Sequence, residues 1–187
     1  SGTGLFDVRT RRWSKTAVDL IDDSGRLWQA LPPLKSAECC IGTVRPAAAE
    51  KLGLGPAVRV STGGGDNMMA AIGSGNIEAG TLTLSLGTSG TLFAWSAAPV
   101  TAESDMIAGF CSSTNGWLPL ICTMNVTSAT TAVQTLLDQD LAGFNALLAQ
   151  ASPGAGGVEM LPFFNGERVP PLPHARASLH KIGRAHV

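Results

Sequence analysis

The sequence predicts an α/β fold with a mixed sheet, and three observations carry that reading. Leu82, Leu84 and Leu86 alternate strictly with Thr81, Thr83 and Ser85, the two-residue period of a strand. Apolar residues recur at helical spacing near 128–138 (Val133, Leu136, Leu137) and near 140–150 (Phe144, Leu147, Leu148), so those side chains are expected to turn inward. Glycine and proline clusters punctuate the 187 residues finely enough for one ordinary domain or two partial ones.

Taken in order, residues 2–13 read as a strand and a turn, with Leu5, Phe6 and Val8 followed by Arg9-Thr10-Arg11-Arg12 and Trp13. Ser14 is placed to cap a helix running to Ile21, with Val18 and Ile21 on one face. Pro32-Pro33 breaks regular structure. Pro46 opens a helix to Leu52, which Gly53 and Gly55 end. Ala57 to Ser61 reads as a buried strand, running through Gly63-Gly64-Gly65-Asp66-Asn67 into a small-residue helix, Met68 to Gly73. Gly87-Thr88-Ser89-Gly90 is a tight turn, and Thr91 to Ser96 returns as the second strand of a hairpin. Strands are expected at 107–111 and 117–123, then the two helices, a strand at 158–161 and a proline-rich loop over 162–174.

Composition narrows the function classes. A chain 44% hydrophobic and 14% charged is apolar enough to bury a core, and its net charge of −1 gives no electrostatic case for nucleic acid or an anionic membrane. No apolar run approaches the roughly 18–20 residues of a membrane helix. Cys39, Cys40, Cys111 and Cys122 form no Cys-x-x-Cys pair, and His174, His180 and His186 fall late in the chain, so neither a zinc site nor a disulfide scaffold is expected and no metal-ligating residue is named. Thiols in a reducing cytoplasm are the expectation.

Three segments hold residues suited to chemistry. In GGGDN (63–67), glycines permit close backbone approach, and Asp66 stands where a helix dipole favours negative charge. It reads either as a carboxylate that accepts a hydroxyl proton or as a helix cap. In LSLGTSGTLF (84–93), the Gly87-Thr88-Ser89-Gly90 turn reads either as a nest of amides for phosphate oxygens or as an ordinary hairpin turn. It is no P-loop, since no Gly-Lys-Ser/Thr follows. In FFNGERVP (163–170), Glu167 and Arg168 form either a functional pair or a solvated loop, and taken alone the surface reading is favoured.

GGGDN, SLGTSG (85–90) and LPFFNGERVP (161–170), in that order, together with the opening SGTGLFDVRTRRWS, resemble the FGGY carbohydrate kinases and, within them, the xylulokinase branch. The resemblance implies the actin-like, ribonuclease-H-like ATPase fold in incomplete form. Residues 1–77 would then complete the first domain and 78–180 would begin the second. It implies Asp66 as the general base and part of the sugar site, Asn67 as a second sugar contact, and Gly87, Thr88 and Ser89 as a phosphate loop over ATP with Mg2+. The substrates would be a sugar, D-xylulose foremost, and ATP, in a cytoplasmic enzyme whose full-length form the resemblance allows to be a homodimer. Neither nucleic acid nor membrane is an expected partner.

The alternative from another class is an actin-like nucleotide-binding module without sugar transfer. The family's Asp-x-Gly-Thr hairpin and its glycine-rich adenosine motif do not occur in this sequence, so the chain alone is expected to be inert. Ser1 is expected to stand mid-protein. Ile182 to Val187 reads as the translation of a sequencing-adapter string, so 181–187 is expected to be a non-native tail.

Overall fold

The computed structural model describes residues 2–101 and 106–181; of the expected tail, 182–187 lie outside the described residues. The strands are β1 (Phe6–Asp7), β2 (Arg12–Trp13), β3 (Cys40–Thr43), β4 (Arg59–Ser61), β5 (Leu82–Leu86), β6 (Gly90–Ala94), β7 (Leu120–Thr123), β8 (Val158–Leu161) and β9 (Ser178–Lys181). The helices are α1 (Lys15–Asp19), α2 (Arg26–Ala30), α3 (Pro46–Leu52), α4 (Asp66–Gly73), α5 (Thr127–Leu136) and α6 (Leu141–Gln150). In place of one mixed sheet, the described strands form four small sheets: β1-β2, β3-β4, β5-β6-β7 and β8-β9. The first, second and last are antiparallel pairs. No helix among the described residues is long and apolar enough to cross a membrane.

Local punctuation works as its chemistry requires. Ser14 caps α1 by accepting from the Ala17 amide at 3.2 Å. Pro46 opens α3, and Gly53 closes it at φ +64°. The helix α1 is shorter than expected and Ile21 is exposed, so only Val18 of that pair is core. Helix α2 and strand β3 were not expected at all. The strand expected at 107–111 is reduced to isolated bridges, Ala108 to Leu120 and Cys111 to Trp117.

The chain divides into two compact units. Among the described residues, the first comprises 2–83, Phe93–Thr101 and Ile107–Leu120. Its core holds Val18, Ala49, Met68, Ala71, Phe93 and Leu118, and at its centre Asn76 is fully buried. Asn76 Nδ2 donates to Thr83 Oγ1 and the Phe93 carbonyl at 2.9 and 3.0 Å, and its Oδ1 accepts from the Trp95 amide at 3.0 Å. A buried amide with its donors and acceptor engaged ties the end of α4 to β5 and β6.

Among the described residues, the second unit comprises Leu84–Leu92, Met106 and 121–181. It contains α5, α6 and the β8-β9 hairpin, with Ala129 buried on α5.

Apolar direction departs most from expectation. Leu82, Leu84 and Leu86 do alternate with polar neighbours, yet they are 63%, 58% and 62% exposed. The inward partner is Thr83, drawn to the buried Asn76. Likewise Leu136, Leu137, Leu147 and Leu148 are exposed, and so is the strand expected as buried, β4. Periodicity reports which residues share a face; which face is covered depends on what packs there.

Candidate functional site

In the first unit, β4 ends at Ser61 and the glycine run turns the chain into α4 beside a cleft of about 670 Å3. Gly63 lies at φ +70°, a conformation L side chains avoid. Gly64 leaves no room for a β-carbon unless its neighbours shift: one would collide with Ser113 Oγ and lie 2.7 Å from Met69 Cε. Gly65 is the N-cap residue of α4, so Asp66 is the first helical residue. Asp66 is exposed, lines the cleft, and its Oδ1 accepts from the Asn67 amide at 2.8 Å. Asn67 is half-buried and lines the same cleft.

The opposite part of the cleft is framed by the segment 110–116 and the β1-β2 hairpin. Arg11, at φ +54°, donates from Nη2 to the carbonyls of Asn115 and Gly116, the latter at 2.7 Å, and its guanidinium lies 4.2 Å from the Trp117 ring centroid. These contacts fix a planar cation against an aromatic face and two backbone oxygens. Asn115 Nδ2 donates to Glu38 Oε1 at 2.9 Å, and that hydrogen bond, with Ser36, holds the Glu38 carboxyl below its ordinary pKa. Phe6 and Trp13 meet edge to face at 5.7 Å, and Trp13 Nε1 donates to the Pro32 carbonyl at 2.8 Å. The result is a cleft with a carboxylate, hydroxyls and amides on some walls and aromatic faces on others, a lining suited to a small polyhydroxylated ligand.

In the second unit, the turn Gly87–Ser89 is exposed; its first two carbonyls are claimed by the start of α5, and the Ser89 carbonyl accepts from the Gly87 amide at 3.0 Å. The Gly87 carbonyl accepts from the Thr127 amide at 3.1 Å and from Thr127 Oγ1 at 2.8 Å. The Thr88 carbonyl accepts from the Val126 amide at 3.3 Å and from Ser128 Oγ at 3.2 Å. Val126, the N-cap residue of α5, makes no side-chain cap, so the turn itself serves the helix's first amides. Both peptides are trans, which sets each N–H opposite its preceding carbonyl. The Thr88 and Ser89 amides therefore point away from α5, on an exposed turn, which is what an anion-binding nest requires.

Glu167 stands in the same unit and overturns the surface reading. It is 3% exposed. Oε2 accepts from Thr123 Oγ1 at 2.7 Å and Asn125 Nδ2 at 3.0 Å, while Oε1 accepts from the amides of Met124 and Arg168, both at 2.7 Å, and more weakly from Val169 at 3.4 Å. Burial alone would raise its pKa, but the bonds from Asn125, Met124, Thr123 and Arg168 outweigh it and bring the value down to about 2. Arg168 is exposed and donates to Cys122 Sγ at 3.4 Å, so the two residues do not form an ion pair with each other.

Asp66 and Asn67 thus share one cleft, and Gly87, Thr88 and Ser89 share one turn. Sequence reasoning passed over Arg11, Ser113 and Asn115 in the cleft and Thr127 and Ser128 beneath the turn. Thr127-Ser128 directly after Val126 was a readable signal, since hydroxyl residues favour helix starts. Arg11 gave no signal beyond its place in an arginine-rich turn.

Comparison with known proteins is consistent across sequence and structure. Residues 1–73 match the model for the FGGY family of carbohydrate kinases, N-terminal domain. The chain is 51% identical over 179 residues to the xylulose kinase of Haemophilus influenzae, covering 96% of this chain and 36% of that protein. It superposes on the crystal structure of xylulose kinase from Bifidobacterium adolescentis with a TM-score of 0.79 and 28% identity, over 96% of this chain and 37% of the other. The ligand-bound xylulose kinase from Lactobacillus acidophilus, at 22% identity, matches in fold with a TM-score of 0.86 over all of this chain and 38% of that one. The chain spans little more than a third of the length of these relatives, and it carries the corresponding part of the actin-like, ribonuclease-H-like ATPase fold. In sequence and fold the chain is similar to one part of the FGGY carbohydrate kinases.

Proposed function

We propose that this chain serves ATP-dependent phosphorylation of a sugar hydroxyl, with D-xylulose as the substrate and D-xylulose 5-phosphate as the product. The observation that carries the proposal is Asp66: an exposed carboxylate at a strand-to-helix junction, lining a cleft of about 670 Å3, in a chain 51% identical to a xylulose kinase. In this reading Asp66 accepts the proton of the sugar hydroxyl as that oxygen bonds to the γ-phosphorus and the bond to ADP breaks. Asn67 holds the sugar beside it.

The amides of Thr88 and Ser89, in the turn that Gly87 opens, receive phosphate oxygens of ATP. Mg2+ belongs to the reading as the companion of ATP. No group of three or more His, Cys, Asp or Glu among the described residues could hold the ion, so no step is assigned to it here. Residues 1–77 form the end of the family's first domain and 78–180 the start of its second, a division supported by the family match over 1–73. The complete enzyme is cytoplasmic and binds sugar and ATP.

The test is turnover by the full-length protein carrying this segment, with D-xylulose and other pentuloses as substrates and ADP release as the readout. A full-length protein that binds ATP but phosphorylates no sugar would instead support the actin-like module without transfer chemistry. The 187-residue chain alone is expected to release no ADP above a blank, because its sequence holds one candidate phosphate turn and neither the Asp-x-Gly-Thr hairpin nor the glycine-rich adenosine motif.

A further inference from the structure

We propose that Glu167 is a positioning residue for the turn Gly87–Ser89, acting through the junction between β7 and α5; the proposal rests on the reading of that turn as the phosphate loop. The link is a continuous run of hydrogen bonds within the second unit. Glu167 engages three consecutive residues at the junction: Thr123 through its hydroxyl at 2.7 Å, Met124 through its amide at 2.7 Å, and Asn125 through its side-chain amide at 3.0 Å. Asn125 Nδ2 also donates to the Gly166 carbonyl at 2.7 Å, so the loop backbone and the carboxylate grip the same group. The next residues along the chain, Val126, Thr127 and Ser128, are the ones that hold the Gly87 and Thr88 carbonyls. No residue separates the set that Glu167 fixes from the set that fixes the turn.

Side-chain packing tightens the coupling. A β-carbon at Gly90, which closes the turn, would lie 2.6 Å from Val126 Cγ2 and 3.3 Å from Thr123 Cγ2. Thr123 therefore contacts Glu167 through its hydroxyl and approaches the turn through its methyl. A shift of the junction would carry the carbonyls of Gly87 and Thr88 with it, and with them the amides on the other side of the same peptides. Small displacements of groups that meet a phosphate are costly to its binding.

Glu167 makes no contact with substrate in this scheme. Its effect should appear in the nucleotide parameter and spare the sugar, which a general loss of stability would not do. The experiment uses the full-length protein with Glu167→Gln, Thr123→Val and, as a stability control in the first unit, Leu118→Ala, whose side chain is fully buried. Melting temperature, kcat and the KM values for ATP and sugar are measured on each. Glu167→Gln turns an amide donor toward donors and is expected to raise KM for ATP about tenfold while KM for the sugar stays within about twofold. Thr123→Val removes one bond to Oε2 and is expected to raise KM for ATP about threefold. Leu118→Ala should melt earlier with both KM values unchanged.

An active Glu167→Gln enzyme with unchanged KM for ATP would overturn the proposal. Should Glu167→Gln fail to fold, Thr123→Val decides in the same way, and a flat KM for ATP there overturns it too. A wild-type protein that phosphorylates no sugar would sink the kinase reading, and the proposal with it, which is a different result from an active enzyme indifferent to Glu167.

Discussion

Asp66 and Glu167 are both carboxylates directly after a glycine, and the structure treats them oppositely. Asp66 is exposed over a cleft and accepts one short-range hydrogen bond, from the amide of the next residue. Glu167 is buried, and its two oxygens accept from five groups spread over two segments. A carboxylate saturated by donors has no lone pair to offer a substrate, and holding its charge is a structural task. One that stands exposed on the wall of a cleft can take a proton without dismantling the fold around it. Chemistry and architecture are thus divided between two residues of the same functional group.

The largest expected effect separates them by function. In the full-length protein, Asp66→Ala should lower kcat by roughly 10²–10⁴-fold, the range for a lost general base, with ATP binding nearly intact. Its cost in stability should be about 1 kcal/mol or less, since Gly65 and not Asp66 is the N-cap residue. Measuring kcat and the melting temperature on one sample tests both halves. Retention of more than about a tenth of wild-type turnover would break the contrast.

Next comes the acid stability owed to Glu167. Its pKa falls from 4.5 to about 2 on folding, so folding favours the ionised form. That stabilisation is fully present above about pH 4.5 and is lost as pH falls through about 2, a window worth about 3 kcal/mol by linkage. Glu167→Gln cannot ionise, so the stability gap between it and wild type should narrow steadily as pH is lowered from 5 to 2. A gap independent of pH in denaturant titrations would show that the carboxylate's charge contributes nothing.

The contrast between these residues was only half legible beforehand. The glycine run before Asp66 and the Gly-Thr-Ser-Gly turn could be read because glycine and aspartate have narrow conformational uses. Pro46 and Gly53 gave the limits of α3 for the same reason. Glu167 could not be read, because a charged residue in a proline-rich loop suggests solvent, and the donors that reverse this lie 42 and 44 residues away in sequence. The buried face of β5 was illegible on similar grounds. Leu82, Leu84 and Leu86 are the apolar set, yet Thr83 turns inward to the buried Asn76, a contact set by tertiary position and not by local pattern.

A smaller effect should follow from crowding beside Asp66. Gly64→Ala would drive a methyl against Ser113 Oγ and Met69 Cε, both ends of movable side chains, so the cost should be about 1–2 kcal/mol and fall on the sugar's KM. Adding Ser113→Ala should recover part of that loss. If the double variant is as impaired as the single one, the cleft is shaped by something other than this contact.

The smallest expected effect probes the turn itself. Thr127 gives the Gly87 carbonyl two donors, its amide at 3.1 Å and its hydroxyl at 2.8 Å. Thr127→Val keeps the branched shape and the amide and removes only the hydroxyl, so the carbonyl still has a partner. A hydrogen bond to a neutral group contributes about 0.5–1.5 kcal/mol, and a carbonyl left with its other donor should lose the lower end of that range. The expected result is a rise of about two- to threefold in KM for ATP with kcat unchanged, since 1.4 kcal/mol corresponds to about tenfold. The melting temperature should fall by only a degree or two, because Thr127 is exposed. A rise beyond about tenfold would exceed what one carbonyl contact can account for. It would mean that the Thr127 hydroxyl meets the nucleotide directly, and the turn would then share its role with the first residue of α5.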